Sequence, residues 1–193
     1  MQEFSDDILP FWHTMMPDRK NGGFFGRIDF SNAIDREAEK GLVLNARILW
    51  TFSSGYRLWQ DERCLELAHR AFEFICTRFC DEKYGGYYWA VDAEGNPSQT
   101  KKQIYAQAFV IYAMAEYFLV TGNREALERA LDLFALIEKY AFDQQNNGYI
   151  EAFSREWGVV EDLRLSKLDM NEKKTMNTHL HILEGYANLF KIH

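Results

Sequence analysis

The chain has 193 residues, of which 47% are apolar, 16% aromatic and 26% charged, with only 3 Pro and 12 Gly. That length suits a single domain, residues 1–193, with a sizeable core, and the composition excludes disordered and low-complexity classes. A formal net charge of -7 without a basic run argues against a nucleic-acid partner, because phosphate backbones are bound by clustered Lys and Arg.

The N-terminus, MQEFSDDILPFW, is acidic where a signal peptide needs a positive flank and an apolar core. No stretch approaches the roughly 20 apolar residues of a membrane span, so no membrane partner is expected and the expected address is the cytoplasm. Residues 3–16 read as a helix that Pro10 should bend or break. Next comes a Gly-aromatic turn, NGGFFG (21–26), then a loop, a lysine and an apolar helix, KGLVLNARILWTFSSGYRLW (40–59). A more clearly amphipathic helix follows, ERCLELAHRAFEFICTRFCD (62–81). Its three cysteines, Cys64, Cys76 and Cys80, complete no zinc spacing and read as small reduced core residues, so no metal is expected.

The same order then recurs: YGGYYW (84–89), KKQIYAQAFVIYAMAEYFLVTG (101–122), REALERALDLFALIEKYAFD (124–143), NNGYIE (146–151) and KTMNTHLHILEGYANLFK (174–191). Gly122 and Asn123 mark a helix stop and restart. Gly23, Gly86 and Gly148 are 63 and 62 residues apart, which indicates stacked helical hairpins. The apolar helices read as inner helices packed on both sides and the amphipathic ones as outer helices. Such hairpins form a superhelical solenoid or a closed two-layer α/α toroid, with the aromatic turns as short hairpin strands on one rim.

Aligned without gaps, the inner helices place RILWTF over FVIYAM over HILEGY. Positions i, i+4 and i+7 share a face, which collects Val43, Arg47 and Trp50; Tyr105, Phe109 and Tyr112; Asn177, His181 and Glu184. So many polar groups fit a face that lines a water- or ligand-filled cavity, because unpaired polar groups in a dry core cost a few kcal/mol each. His179 and His181 diverge by about 200° on a helix. The stripe selects His181 and leaves His179 as a packing or loop-bonding residue, while Glu184, three residues on, is placed to orient the His181 imidazole. Plainer readings stay open at this point: Arg47 as a buried ion-pair partner, His181 as a satisfied core histidine, Trp50 and Tyr112 as core aromatics.

The segments KGLVLNARILWTFS, KKQIYAQAFVIYAMAEYF and KTMNTHLHILEGYANL, interspersed with GGF and GGY, resemble the N-acylglucosamine 2-epimerase superfamily, most closely its cellobiose 2-epimerase branch. The resemblance implies an all-α (α/α)6 barrel of six hairpins that acts without a cofactor on the reducing-end sugar of cellobiose-type disaccharides. In that family a proton leaves the carbon next to the carbonyl and returns to the other face through an enediolate. Carried over by motif, Arg47 and His181 are the catalytic candidates, as enediolate stabiliser and as stabiliser or ring-opening group. Tyr105, Asn177, Glu184 and Trp50 are the substrate-binding candidates. Family members are about twice this long and carry their two main acid/base histidines in the second half. The chain therefore resembles an N-terminal half with three of six hairpins, expected to be inactive alone and to self-associate through its inner-helix face.

The resemblance leaves N-acylglucosamine 2-epimerase and mannose aldose-ketose isomerase activities as alternatives. A non-catalytic helical-repeat module binding sugar or protein is the alternative of another class. Glycoside hydrolysis needs two carboxylates across the bond, and the stripe offers only Glu184.

Overall fold

Each Gly-aromatic turn begins at an aspartate, Asp18, Asp81 or Asp143, and the computed structural model, which describes residues 2–193, shows why the turn recurs. One carboxylate oxygen accepts from the backbone N–H groups two and three residues on. The aspartate's own N–H donates to the carbonyl of Gly23, Gly86 or Gly148. The other oxygen holds the lysine that stands before the next inner helix: Lys40 to Asp18 at 2.8 Å, Lys102 to Asp81 at 3.0 Å and Lys174 to Asp143 at 2.7 Å. The first two pairs are almost wholly buried and the third is partly exposed.

Burial alone would raise the Asp18 and Asp81 carboxyl pKa values. Lys40 and backbone N–H groups at Asp18, and Arg155 and Lys102 at Asp81, outweigh it and hold both below the usual carboxylate range. Lys40 and Lys102 are pushed down by the same burial, against the pull of their aspartates. Asp81 is the most heavily used of the three. It also accepts two bonds from Arg155, at 2.9 and 3.1 Å, and the Arg155 guanidinium lies over the rings of Tyr84 and Tyr88.

Among the described residues six α-helices stand between and around these turns. A π-helical turn, Phe4–Ile8, runs into α1, Leu9–Thr14. Pro10 falls at the start of α1, where its missing N–H breaks no bond inside that helix, so the expected break appears as the wider turn before it. The inner helices are α2, Leu42–Trp59, α4, Ile104–Thr121, and α6, Met176–Phe190. The outer helices that follow α2 and α4 are α3, Glu62–Phe74, extended by a π-helical turn, Ile75–Phe79, and α5, Arg124–Tyr140. Asp61 and Asn123 cap α3 and α5 through their side chains, and Gly122 ends α4 in the left-handed region.

The three cysteines are free. Burial pushes Cys64 up to about 11 and Cys76 up to about 12, which keeps both as inert thiols.

Short antiparallel strands tie one repeat to the next. Arg27–Ile28 (β1) pairs with Ile34–Asp35 (β2) inside the first loop. Lys40–Gly41 (β3), just before α2, pairs with Ala90–Val91 (β4), which also pairs with Pro97–Gln99 (β5). Lys102–Gln103 (β6), just before α4, pairs with Ala152–Phe153 (β7) in the equivalent register. α2 and α4 therefore each start from a strand that is bonded to the segment after the next repeat's turn, whereas α6 starts from the Thr175 cap without a strand directly before it. The expected hairpin strands on one rim are present.

α4 is the central helix and packs against α2, α5 and α6. By length and composition it could cross a membrane, contrary to the expectation that no stretch approaches a span, yet most of it is buried inside the protein. Its uniform apolarity is explained by neighbours on every side. The expectation of two-sided packing fails for α6, which exposes Met176, Leu180, Leu183 and Phe190. Its main helix neighbour is α4, with a smaller contact to α5. α6 approaches α4 closely at Gly185, where a Cβ would lie 2.8 Å from the carbonyl oxygen of Ala108.

Asp81→Asn leaves Lys102 buried without a counter-charge and should cost about 3–5 kcal/mol in urea unfolding. A depressed aspartate contributes stability above its unfolded value and loses it as the pH falls through the folded one. The wild-type chain should therefore lose stability steeply below about pH 4 and Asp81→Asn less so, as urea titrations across pH 2–7 would show. Gly185→Ala should cost about 1–3 kcal/mol in the same assay, because backbone cannot move aside as a side chain can.

Candidate active site

The repeat places equivalent residues of the inner helices side by side, with α4 between α2 and α6. Arg47, Phe109 and His181 form one layer: the Arg47 guanidinium lies 4.8 Å from the Phe109 ring centre, and the His181 ring lies 4.3 Å from the same ring. Tyr105, one turn earlier on α4, meets His181 edge-on at 4.8 Å and Phe109 at 5.1 Å. One turn later Trp50 stacks on Tyr112 at 5.0 Å. The Tyr112 hydroxyl is held above its usual range by burial, with further contributions from the charges of Glu184 and Glu116.

His181 and Glu184 form a pair, Nδ1 to Oε2 at 2.7 Å, with the imidazole mostly covered and the carboxylate half exposed. A carboxylate only accepts, so Nδ1 donates, and in the neutral imidazole Nε2 is then the nitrogen with the lone pair. Arg47 is exposed and makes no hydrogen bond or ion pair to a carboxylate among the described residues. The ion-pair reading of Arg47 is thereby set aside: the carboxylate of Glu116, on α4, is taken by Arg57 at 2.8 Å. Trp50 is half-buried, one face is covered by Tyr112, and its Nε1–H finds no acceptor. The stacking suits the core-aromatic reading, and the Nε1–H is buried as well as unpaired.

His179 takes the loop-bonding role. Its Nδ1 is 2.6 Å from the carbonyl of Thr175, and its Nε2 accepts from the N–H of Tyr149 at 3.0 Å. Asn177, one turn before His181 on the same face, is exposed. It lines a cavity of about 420 Å³ with Glu151, Leu163, Arg164, Asp169 and Lys174, under the loop that leads into α6.

Glu151 is a site residue that periodicity missed. Its carboxylate is buried and accepts from the N–H of Thr175 at 2.7 Å and from the Thr178 hydroxyl at 2.6 Å. It anchors the start of the helix that carries Asn177 and His181, where the helix dipole favours a negative charge. Its partners lie 24 and 27 residues away, beyond the reach of any local pattern.

Paired inner and outer helices bearing an open face of rings, with the Arg47 guanidinium and a His–Glu pair on it, define part of an α/α toroid. The profile of the N-acylglucosamine 2-epimerase (GlcNAc 2-epimerase) family matches residues 23–182, and the chain belongs to that family. It is 49% identical over 191 residues to a cellobiose 2-epimerase of Bacteroides fragilis, covering 99% of this chain and 49% of the relative. It superposes on the cellobiose 2-epimerase from Bacillus thermoamylovorans with a TM-score of 0.94 at 42% identity, covering 99% of this chain and 49% of the other. The structure of a D-mannose isomerase matches with a TM-score of 0.78 at 20% identity, a likeness of fold alone. The chain spans about half the length of the curated relatives it matches.

At neutral pH, ¹⁵N NMR should find His181 as the Nδ1–H tautomer. Glu184→Leu should move it toward Nε2–H, and an unchanged tautomer would show that the carboxylate does not orient the ring.

Proposed function

We propose that this chain supplies the binding and oxyanion-stabilising half of a carbohydrate 2-epimerase acting on the reducing-end sugar of cellobiose-type disaccharides. The observation that carries the reading is the unpaired Arg47 guanidinium set beside the His181–Glu184 pair, in a chain of this family. The relatives' names supply the substrate class.

Epimerisation at C2 needs an open-chain aldehyde, removal of the C2 proton to give an enediolate, and its return to the opposite face. With Nδ1–H bonded to Glu184, the neutral His181 has an Nε2 lone pair suited to take the anomeric hydroxyl proton and return it to the ring oxygen as the C1–O5 bond breaks and C1 becomes the aldehyde. The Arg47 donors then meet the negative charge that develops on the C1 and C2 oxygens, in the place where preorganised donors give their largest effect. Tyr105, beside His181, offers a phenol to a sugar hydroxyl.

The cavity beside Asn177 is large enough for a second sugar ring. That favours a disaccharide over N-acylglucosamine or mannose, the same chemistry on a single ring. Proton transfer on both faces of C2 needs two acid/base groups, and the inner face offers one imidazole, His181, among the described residues. His181 is assigned to ring opening, so both groups that act at C2 are proposed to come from outside these residues.

Cellobiose incubated in D2O and followed by NMR tests the reading. This chain alone should give no deuterium at C2, while a protein of the relatives' full length carrying these residues should give exchange and the mannose-configured epimer. Arg47→Leu in that longer protein should lower the exchange rate by about 10²–10³-fold, the usual loss for one oxyanion donor. Failure of the longer protein to exchange would overturn the proposal.

A further inference from the structure

We propose that Phe109 is a positioning residue, whose ring face holds the Arg47 guanidinium in place of a carboxylate and thereby keeps its charge and its donors free for a developing oxyanion. Its chemical consequence rests on the epimerase reading above; its geometry does not. Three observations carry it.

Arg47 is exposed and lacks an acidic partner among the described residues, yet its guanidinium lies 4.8 Å from the Phe109 ring centre, within the usual range of a cation–π contact. Phe109 is itself buried, so the ring is fixed by α4 and presents a defined face. It occupies the middle position of the Arg47–Phe109–His181 layer and touches His181 at 4.3 Å, which sets it as a spacer between two groups that would repel when both are charged.

The physical logic is a comparison of anchors. A carboxylate would hold the guanidinium more firmly, but it would fill two or more of its five N–H donors and cancel the charge that an enediolate needs. A ring face attracts the cation through its quadrupole and leaves the N–H edge in the plane of the guanidinium unused. Leu or Met at this position would fill much of the volume and leave Arg47 without an anchor.

Two replacements separate this role from packing: Phe109→Leu, and pentafluorophenylalanine in place of Phe109, which keeps ring and shape while reversing the quadrupole. The first readout is the Arg47 side-chain resonances, assigned by Arg47→Lys. Ring-current shifts should be present in the wild-type chain and lost or strongly reduced in both variants. The second is the binding preference for cellobionate, an anionic planar-carboxylate mimic of the enediolate, over neutral cellobiitol, measured by calorimetry. Both variants should lose that preference about tenfold while cellobiitol affinity stays within about twofold.

Unshifted Arg47 resonances in the wild-type chain, or equal weakening of both ligands, would overturn the proposal. So would a fluorinated chain that behaves as wild type. Should Phe109→Leu fail to fold, the fluorinated chain decides the matter. A wild-type chain that binds neither ligand would count against the sugar reading, while the Arg47 resonances still decide the role of Phe109.

Discussion

Everything on the inner face depends on where the inner helices begin, and a lysine–aspartate pair sets each beginning. The lysine stands just before the helix and the aspartate opens the preceding Gly-aromatic turn, so the pair joins one end of a loop to the other. Burying such a pair is favourable only when further bonds satisfy the remaining oxygens and protons. The turns supply these: backbone N–H groups for each carboxylate, and the carbonyls of Gly22 and Asn147 for Lys40 and Lys174. Strand pairing then links the starts of α2 and α4 to the next repeat, and Glu151 takes that part at the start of α6. The outcome is a common origin for three helices, which is why equivalent positions in the repeat become neighbours in space.

That common origin turns a repeat in sequence into a layered surface. The position held by Arg47 in the first repeat is held by Phe109 in the second and by His181 in the third. Their meeting juxtaposes a cation, a π face and an imidazole. The polar groups are tolerated because the layer is open to solvent on one side, where Arg47 and Glu184 keep their hydration. A dry core would demand a partner for each. Openness and chemistry are thus aspects of one arrangement: a surface that leaves a guanidinium unpaired is also one that can offer it to an oxyanion.

The repeat, the division into inner and outer helices and the stripe of Arg47, Tyr105, His181 and Glu184 were legible in the sequence, because helical period and turn residues are local signals. Other features were not. The partners of Lys40, Lys102 and Lys174 lie 22, 21 and 31 residues away across loops of differing length, so no fixed spacing announces them. α4 carries the composition of a membrane span, and only its neighbours show that burial inside a protein accounts for it. α6 has an apolar pattern like that of the other inner helices, yet it exposes Leu180 and Leu183, because a pattern records what a face can bury and not whether a neighbour is present.

By itself the sequence determined the kind of element at each place, the period that repeats them and the residue types gathered on one face, since these follow from side-chain spacing along a helix. The tertiary structure decided which of those residues act together. It gave Arg47 a ring where an acid was equally plausible, assigned Glu184 to His181, turned His179 to a loop and placed Asn177 in the wall of a cavity. The reason is physical: contacts between helices depend on the distance and rotation at which they pack, and these are set by buried ion pairs, a close approach at Gly185 and strand registers that join residues far apart in the chain.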